Sequence, residues 1–338
     1  MTHSSITTST CGPAELARRI APAVAMLAAL AAPTAWAQGV AYVSSEKDNA
    51  LTLVDLKTQS VAGTLPTCKR PRHLQRSADG KLLMVACGDS NQADVIDLAT
   101  GKSVRRIGLG EDPEAFDLSP DGTTLYVSNE EDGALGIVDL ASGKLTGSVK
   151  VGKEPEGVKV SADGKTVYVA SEAASLVHVI DTASAKVTHN IKVGKRPRRF
   201  ALTPDGSQLW VTNELDAAVT IIDTRLNTVT GTVKFELKGM RAADITPVGL
   251  AMSRDGKRAY VTLGRANHLA FVDVASRKVT DLVLVGKRAW SVTLNKAETQ
   301  ALVVNGLSDD LTIIDIASAK PVKTVRVGRV PYTAVIVE

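Results

Sequence analysis

Residues 155–196 read PEGVKVSADGKTVYVASEAASLVHVIDTASAKVTHNIKVGKR, and Pro197 starts the pattern again with PRRFALTPDGSQLWVTNELDAAVTIIDT, through residue 224. The short, β-branched, partly alternating runs Glu156–Ser161, Thr166–Ser171, Leu176–Ile180 and Lys186–Val193 predict four strands per unit. Asp163-Gly164 joins the first two, because a tight hairpin needs a positive φ that glycine adopts without steric penalty. Asp181 follows the third strand, where an Asx side chain accepts backbone N–H bonds and stabilises the turn.

The unit recurs along the chain with a period of 42. Asp-Gly stands at Asp79, Asp121, Asp163 and Asp205, then at Asp255 after a step of 50, and the next equivalent position is Ala297. Tyr42, Met84, Tyr126, Tyr168, Trp210, Tyr260 and Leu302 share one column, and Asp55, Asp97, Asp139, Asp181, Asp223, Asp273 and Asp315 share another. Seven equivalent catalytic carboxylates would make no chemical sense, so the Asp column is read as turn structure. A period of this length marks supersecondary units that bury their apolar faces only against neighbours. Seven such units predict an all-β, seven-bladed β-propeller of four-stranded blades. The chain enters in a second strand, Ala41–Ser44, and ends in a first strand, Tyr332–Val337, so the C-terminal strand is expected to join the N-terminal strands and close the ring. A monomer follows from that closure.

Composition agrees with a soluble globular chain. The 338 residues are 44 % hydrophobic, 22 % charged and 4 % aromatic, which excludes a disordered, collagenous or polytopic membrane protein. A net charge of +4 from 40 basic and 36 acidic residues creates no global field toward nucleic acid. Residues 1–37 carry Arg18-Arg19, an apolar run from Ile20 to Ala32 and Ala35-Trp36-Ala37 before Gln38, the layout of a cleaved secretory signal. The expectation is a single propeller domain over 38–338, exported to the periplasm, with no transmembrane anchor after processing.

Charge must therefore be read locally. The residues that follow the repeated proline are Arg72, Glu114, Glu156, Arg198, Val248, Trp290 and Tyr332. Equivalent positions on successive blades surround the channel mouth, so Arg72, Arg198, Arg288, Trp290 and Tyr332 are the expected ligand- or partner-binding residues there. Arginine with aromatics suits a planar polyanion, through bidentate carboxylate bonds and stacking. Glu114, Glu156 and Arg198 supply acid–base groups for a hydrolase, without a local motif that assigns roles. Cys68 and Cys87 lie at facing ends of one hairpin and form the candidate disulfide. No C-x-x-C-H segment is present for covalent haem and no G-x-S-x-G elbow for a serine nucleophile. His73, His178, His189 and His268 fall in different columns and read as surface residues, so no metal site is expected. The 50-residue step inserts eight residues between Lys234 and Pro247, a loop suited to a partner or a lid.

Tyr42-Val43-Ser44-Ser45, Tyr126-Val127-Ser128-Asn129, Trp210-Val211-Thr212-Asn213 and Tyr260-Val261-Thr262 resemble the repeat that names the YVTN β-propeller family. Gly239-Met240-Arg241, Leu263-Gly264-Arg265-Ala266-Asn267 and Val285-Gly286-Lys287-Arg288-Ala289-Trp290 are similar to β-propeller proteins associated with catabolism dependent on pyrroloquinoline quinone. That resemblance implies a noncatalytic periplasmic binding or scaffold protein accompanying quinoprotein alcohol oxidation. Its partners would be the quinoprotein dehydrogenase or its cytochrome c acceptor. It would touch the quinone without a tightly bound cofactor, and it would not itself be the dehydrogenase. Related seven-bladed propellers include bacterial lactonases, which makes a lactonase-like hydrolase the alternative. An envelope interaction protein unrelated to alcohol oxidation is the third reading.

Overall fold

The computed structural model describes residues 39–338. The expected signal segment lies outside the described residues. Seven four-stranded antiparallel sheets form, each with one inner strand. Six blades begin at Pro71–Arg76, Pro113–Leu118, Pro155–Val160, Pro197–Leu202, Pro247–Met252 and Ala289–Leu294, here numbered blades 1 to 6. In blade 7 the inner strand is Pro331–Val337, paired with Val40–Ser45, followed by Ala50–Asp55 and Ser60–Pro66. The closing register sets Val40 against Val337, Ala41 against Ile336 and Tyr42 against Val335. The backbone thus joins its two ends by hydrogen bonds, as the repeat count required.

The aromatic column explains how blades stack. Tyr42, Met84, Tyr126, Tyr168, Trp210, Tyr260 and Leu302 are all buried. Trp210, from blade 4, packs with Val261, Leu263, Ala270 and Val272 of blade 5. Tyr42, from blade 7, packs with Leu74, Leu83 and Val85 of blade 1. The core is therefore a ring of wedges between sheets, and each large side chain removes ~1.5–3 kcal/mol worth of apolar surface from water. Outer strands such as Lys102–Gly108 are mostly exposed.

Turn chemistry matches the columns. All seven Asp of the turn column accept a backbone N–H from two or three residues on, as when Asp181 Oδ1 takes the Ser184 N–H at 2.8 Å. In the blade 3 hairpin, Asp163 Oδ1 accepts from Lys165 N at 3.1 Å and Ser161 Oγ from Thr166 N at 3.0 Å, with Gly164 at φ +72°. Blade 6 has Ala297 in place of the Asp, and Asn295 performs both tasks: its Oδ1 accepts from Thr299 N and Gln300 N, each at 2.9 Å.

One further column positions the site. Ser44, Ser128 and Thr212, the third letters of the YVTN-like runs, donate to the carbonyls of Arg72, Glu156 and Val248 on the next blade, at 2.8, 2.7 and 2.8 Å. Each hydroxyl pins the residue after the proline, so that column is held at a fixed radius around the axis. The inserted loop is anchored too. Phe235 and Ile245 at its two ends are buried, and Ala242–Asp244 forms a 3₁₀ turn between them. No helix among the described residues is long and apolar enough to cross a membrane.

Candidate functional site

Arg72, Arg198, Arg288, Trp290 and Tyr332 do meet. Arg72 lies over the Tyr332 ring at 4.3 Å, Arg288 over Trp290 at 4.6 Å and Arg198 over Trp290 at 5.4 Å. The two rings are 5.5 Å apart. The arginines are not a bare positive rim, however. Arg72 pairs with Glu114 and, at 3.2 Å, with Glu46. Arg198 pairs with Glu172, with Glu156 at 2.9 Å and with Glu214 at 3.4 Å. Arg288 reaches Glu214 at 2.9 Å, and Arg199 reaches Glu156 at 2.8 Å. Arg72, Arg198, Glu114, Glu156, Glu172 and Glu214 are all buried. They form an ion-paired plug across the loop end of the channel.

Burial alone would raise the Glu156 carboxyl, but Arg198, Arg199 and Arg72 outweigh it and hold Glu156 below the ordinary carboxylate range. Burial and the Glu156 charge push Glu172 upward against the pull of Arg198 and Arg196. The acid–base groups expected from the post-proline column, Glu114, Glu156 and Arg198, thus meet here in ion pairs. The further acids that pair with the arginines came from a column not singled out in the sequence: Glu46, Gly88, Glu130, Glu172, Glu214, Gly264 and Gly306 share the repeat position just after the second strand. Four acids in one repeat column facing the post-proline arginines was the available signal.

Space for a small molecule lies on the other side of this plug. A cavity of about 630 Å³ runs along the inner strands from Arg199, Trp290 and Tyr332 to Arg76, Lys296 and Glu338 at the hairpin end. The second residue after the proline faces it on six blades, and these are mostly small: Ala115, Gly249, Ser291 and Thr333, with only His73 and Arg199 large. A Cβ at Gly249 would stand 2.6 Å from the Trp290 carbonyl, so glycine there permits close approach of adjacent inner strands.

Two histidines depart from the surface reading. His178 is buried, with Nε2 3.0 Å from Ser171 Oγ and Nδ1 2.6 Å from Asn190 Oδ1. Its column is a seam of buried polar bridges, since Thr220 likewise meets Asn213 and Thr312 meets Asn305. His73 lines the axial cavity, edge-on to Phe116 with ring centroids 4.9 Å apart. Burial, and then the Arg199 charge, pushes its pKa down to about 3, so the imidazole is neutral at physiological pH. Beside it Lys159 pairs with Asp117 at 2.7 Å, and Gln75 donates to the same carboxylate at 2.8 Å. Arg199 Nη2 donates to the Tyr332 hydroxyl.

The candidate disulfide is formed: the Cys68 and Cys87 sulfurs are bonded, with Cα atoms 5.8 Å apart. It ties the segment before Arg70 and Arg72 to the end of the second strand. In blade 2 the corresponding tie is a hydrogen bond from Asn129 Nδ2 to the Leu109 carbonyl at 2.8 Å.

A family model described as YNCE-like beta-propeller matches residues 114–200, about a quarter of the chain. No curated protein sequence matches significantly. Among solved structures, the chain is similar to Kuenenia stuttgartiensis hydrazine synthase at 23 % identity and TM-score 0.74, covering 82 % of this chain and 93 % of that one. It is similar to a Pseudomonas aeruginosa periplasmic gluconolactonase at 21 % identity and TM-score 0.75, covering 88 % and 99 %. A putative 6-phosphogluconolactonase from Bacteroides uniformis gives 14 % identity and TM-score 0.73, covering 89 % and 100 %. At these identities the likeness establishes the propeller fold.

Proposed function

We propose that this propeller takes a small, oxygen-rich sugar-acid lactone, one that carries a phosphate or a further carboxylate as its charge, into the axial cavity and opens its ester bond with water. The observation that carries the reading is His73, an uncharged imidazole on the cavity wall near the cations Arg199 and Lys159. Water adds to the lactone carbonyl as His73 accepts its proton, and Arg199 stabilises the oxyanion. The carbonyl–ring oxygen bond then breaks and the ring oxygen takes the proton back from the imidazolium. The product is a hydroxy acid, whose carboxyl proton passes to solvent. A bound anion beside His73 raises its basicity toward the working range. Phe116, Trp290 and Tyr332 offer apolar faces to the ring. Two of the similar structures, a periplasmic gluconolactonase and a putative 6-phosphogluconolactonase, support the reading.

The test is hydrolysis of a panel of sugar-acid lactones by the purified protein, followed by proton release above the spontaneous rate. His73→Gln should lower kcat about 100-fold or more while leaving the thermal midpoint near the wild-type value. Hydrolysis by the wild type that His73→Gln leaves unchanged would remove His73 from the reaction.

The stacking of Arg72 on Tyr332 and Arg288 on Trp290 favours a second reading. Here the protein holds a planar polycarboxylate such as pyrroloquinoline quinone without transforming it, as a periplasmic accessory to a quinoprotein dehydrogenase or its cytochrome c. Calorimetry with the quinone separates the two: quinone binding without lactone turnover selects the accessory reading.

A further inference from the structure

We infer that the loop face of blade 2 holds a hard divalent cation of the calcium class, bound by Asp112, Glu114 and Glu130. One carboxylate oxygen from each lies within 4.8 Å of the others. Calcium accepts carboxylate oxygens in an irregular, flexible set, whereas magnesium demands near-octahedral geometry and gives up its waters reluctantly. An all-oxygen donor set also excludes a preference for softer metals.

A second observation points to a missing ligand. Glu114 is 0 % exposed, Arg70 and Arg72 both engage its Oε1, and its Oε2 is buried with no hydrogen-bond partner. Arg70 likewise takes Oδ1 of Asp112 at 2.6 Å. Glu130 has no cationic partner among the described residues. Each of the first two carboxylates thus gives one oxygen to a guanidinium and keeps the other.

Carboxylates outnumber guanidiniums here: Arg70, Arg72, Arg196, Arg198, Arg199 and Arg288 meet Glu46, Asp89, Asp112, Glu114, Glu156, Glu172 and Glu214. Glu130 adds to that excess, and its carboxylate stands beside that of Glu114. An excess of carboxylates at a half-buried site favours a counter-charge, and here the geometry offers a metal three oxygens. The ion would brace the loop that leads into Glu114 at the start of strand Pro113–Leu118, and this inference is independent of what the axial cavity holds.

The experiment titrates the EDTA-treated, desalted full protein with CaCl₂ by calorimetry and follows the thermal midpoint in parallel, with MgCl₂ as comparison. Expected are one saturable site with Kd between about 10⁻⁶ and 10⁻³ M, a midpoint that rises with CaCl₂, and weaker binding of magnesium. Glu130→Gln should weaken calcium binding roughly tenfold or more, and because Glu130 is only partly buried this variant should fold. Asp132→Asn, on the same loop outside the trio, should bind as the wild type does. No heat and no midpoint shift at 10⁻² M CaCl₂, or equal affinity in wild type and Glu130→Gln, would overturn the site and leave a shared proton as the counter-charge.

Discussion

Arg198 shows how much one side chain carries. It is 3 % exposed and pairs with Glu156, Glu172 and Glu214, which come from blades 3 and 4. Removing a buried charge strands its partners, which costs about 3–5 kcal/mol, more than the pair itself contributes over a hydrophobic replacement. Arg198→Met should therefore lower the urea-unfolding free energy by about that amount. A change below ~1 kcal/mol would mean the three glutamates find protons or water instead. The identity of the residue was legible in the sequence, since Arg198 stood in the post-proline column. Its role was not, because a one-dimensional column shows position around the ring and not which side chains lie within reach.

At the level of elements, the closing strand and the disulfide are separate devices. Strand Pro331–Val337 buries Tyr332, Ala334 and Ile336 and covers the otherwise open edge of Val40–Ser45. Deleting Tyr332–Glu338 should remove at least about 4 kcal/mol of burial and expose that edge to other chains. Loss of the cooperative thermal transition, with association in sedimentation, is the expected outcome; an unchanged transition would mean the ring holds without its splice. The disulfide spans 19 residues of sequence, and closing a loop of that size stabilises by about 3 kcal/mol through the unfolded state. Cys87→Ala, measured by urea unfolding, should lose about this much, with the affected segment lying ahead of Arg70 and Arg72. The blade 6 hairpin has Ala297 where the others have Asp, yet Asn295 replaces both acceptors. Sequence matching by residue identity missed it because the two hydrogen bonds depend on where an oxygen sits and not on which residue brings it.

The plug belongs to the whole molecule, because blades from opposite sides of the ring supply it. Its pH response has a definite sign. Burial and Glu156 raise the Glu172 pKa in the folded state, so Glu172 retains its proton when the unfolded chain has lost it. The stability from that group is complete below the ordinary carboxylate range and is lost as pH rises toward the folded pKa. Glu172→Gln cannot titrate, so the stability difference between variant and wild type should move in the variant's favour from pH 5 to pH 8 in urea unfolding. No movement across that range would show Glu172 ionised throughout. The sequence by itself determined the blade count, the four strands of each blade, the turns and the closing splice. All of these follow from local patterning: strand alternation, Asp and glycine at fixed offsets, and a repeat that must bury its faces on a neighbour. Only the tertiary structure decided the site. Arg199 meets Tyr332 across 133 residues, and Arg288 meets Glu214 across 74, so their pairing exists only once the ring has closed. The cavity beneath them is equally nonlocal, since small residues leave usable space only when seven inner strands stand around one axis, with His73 turned inward among them.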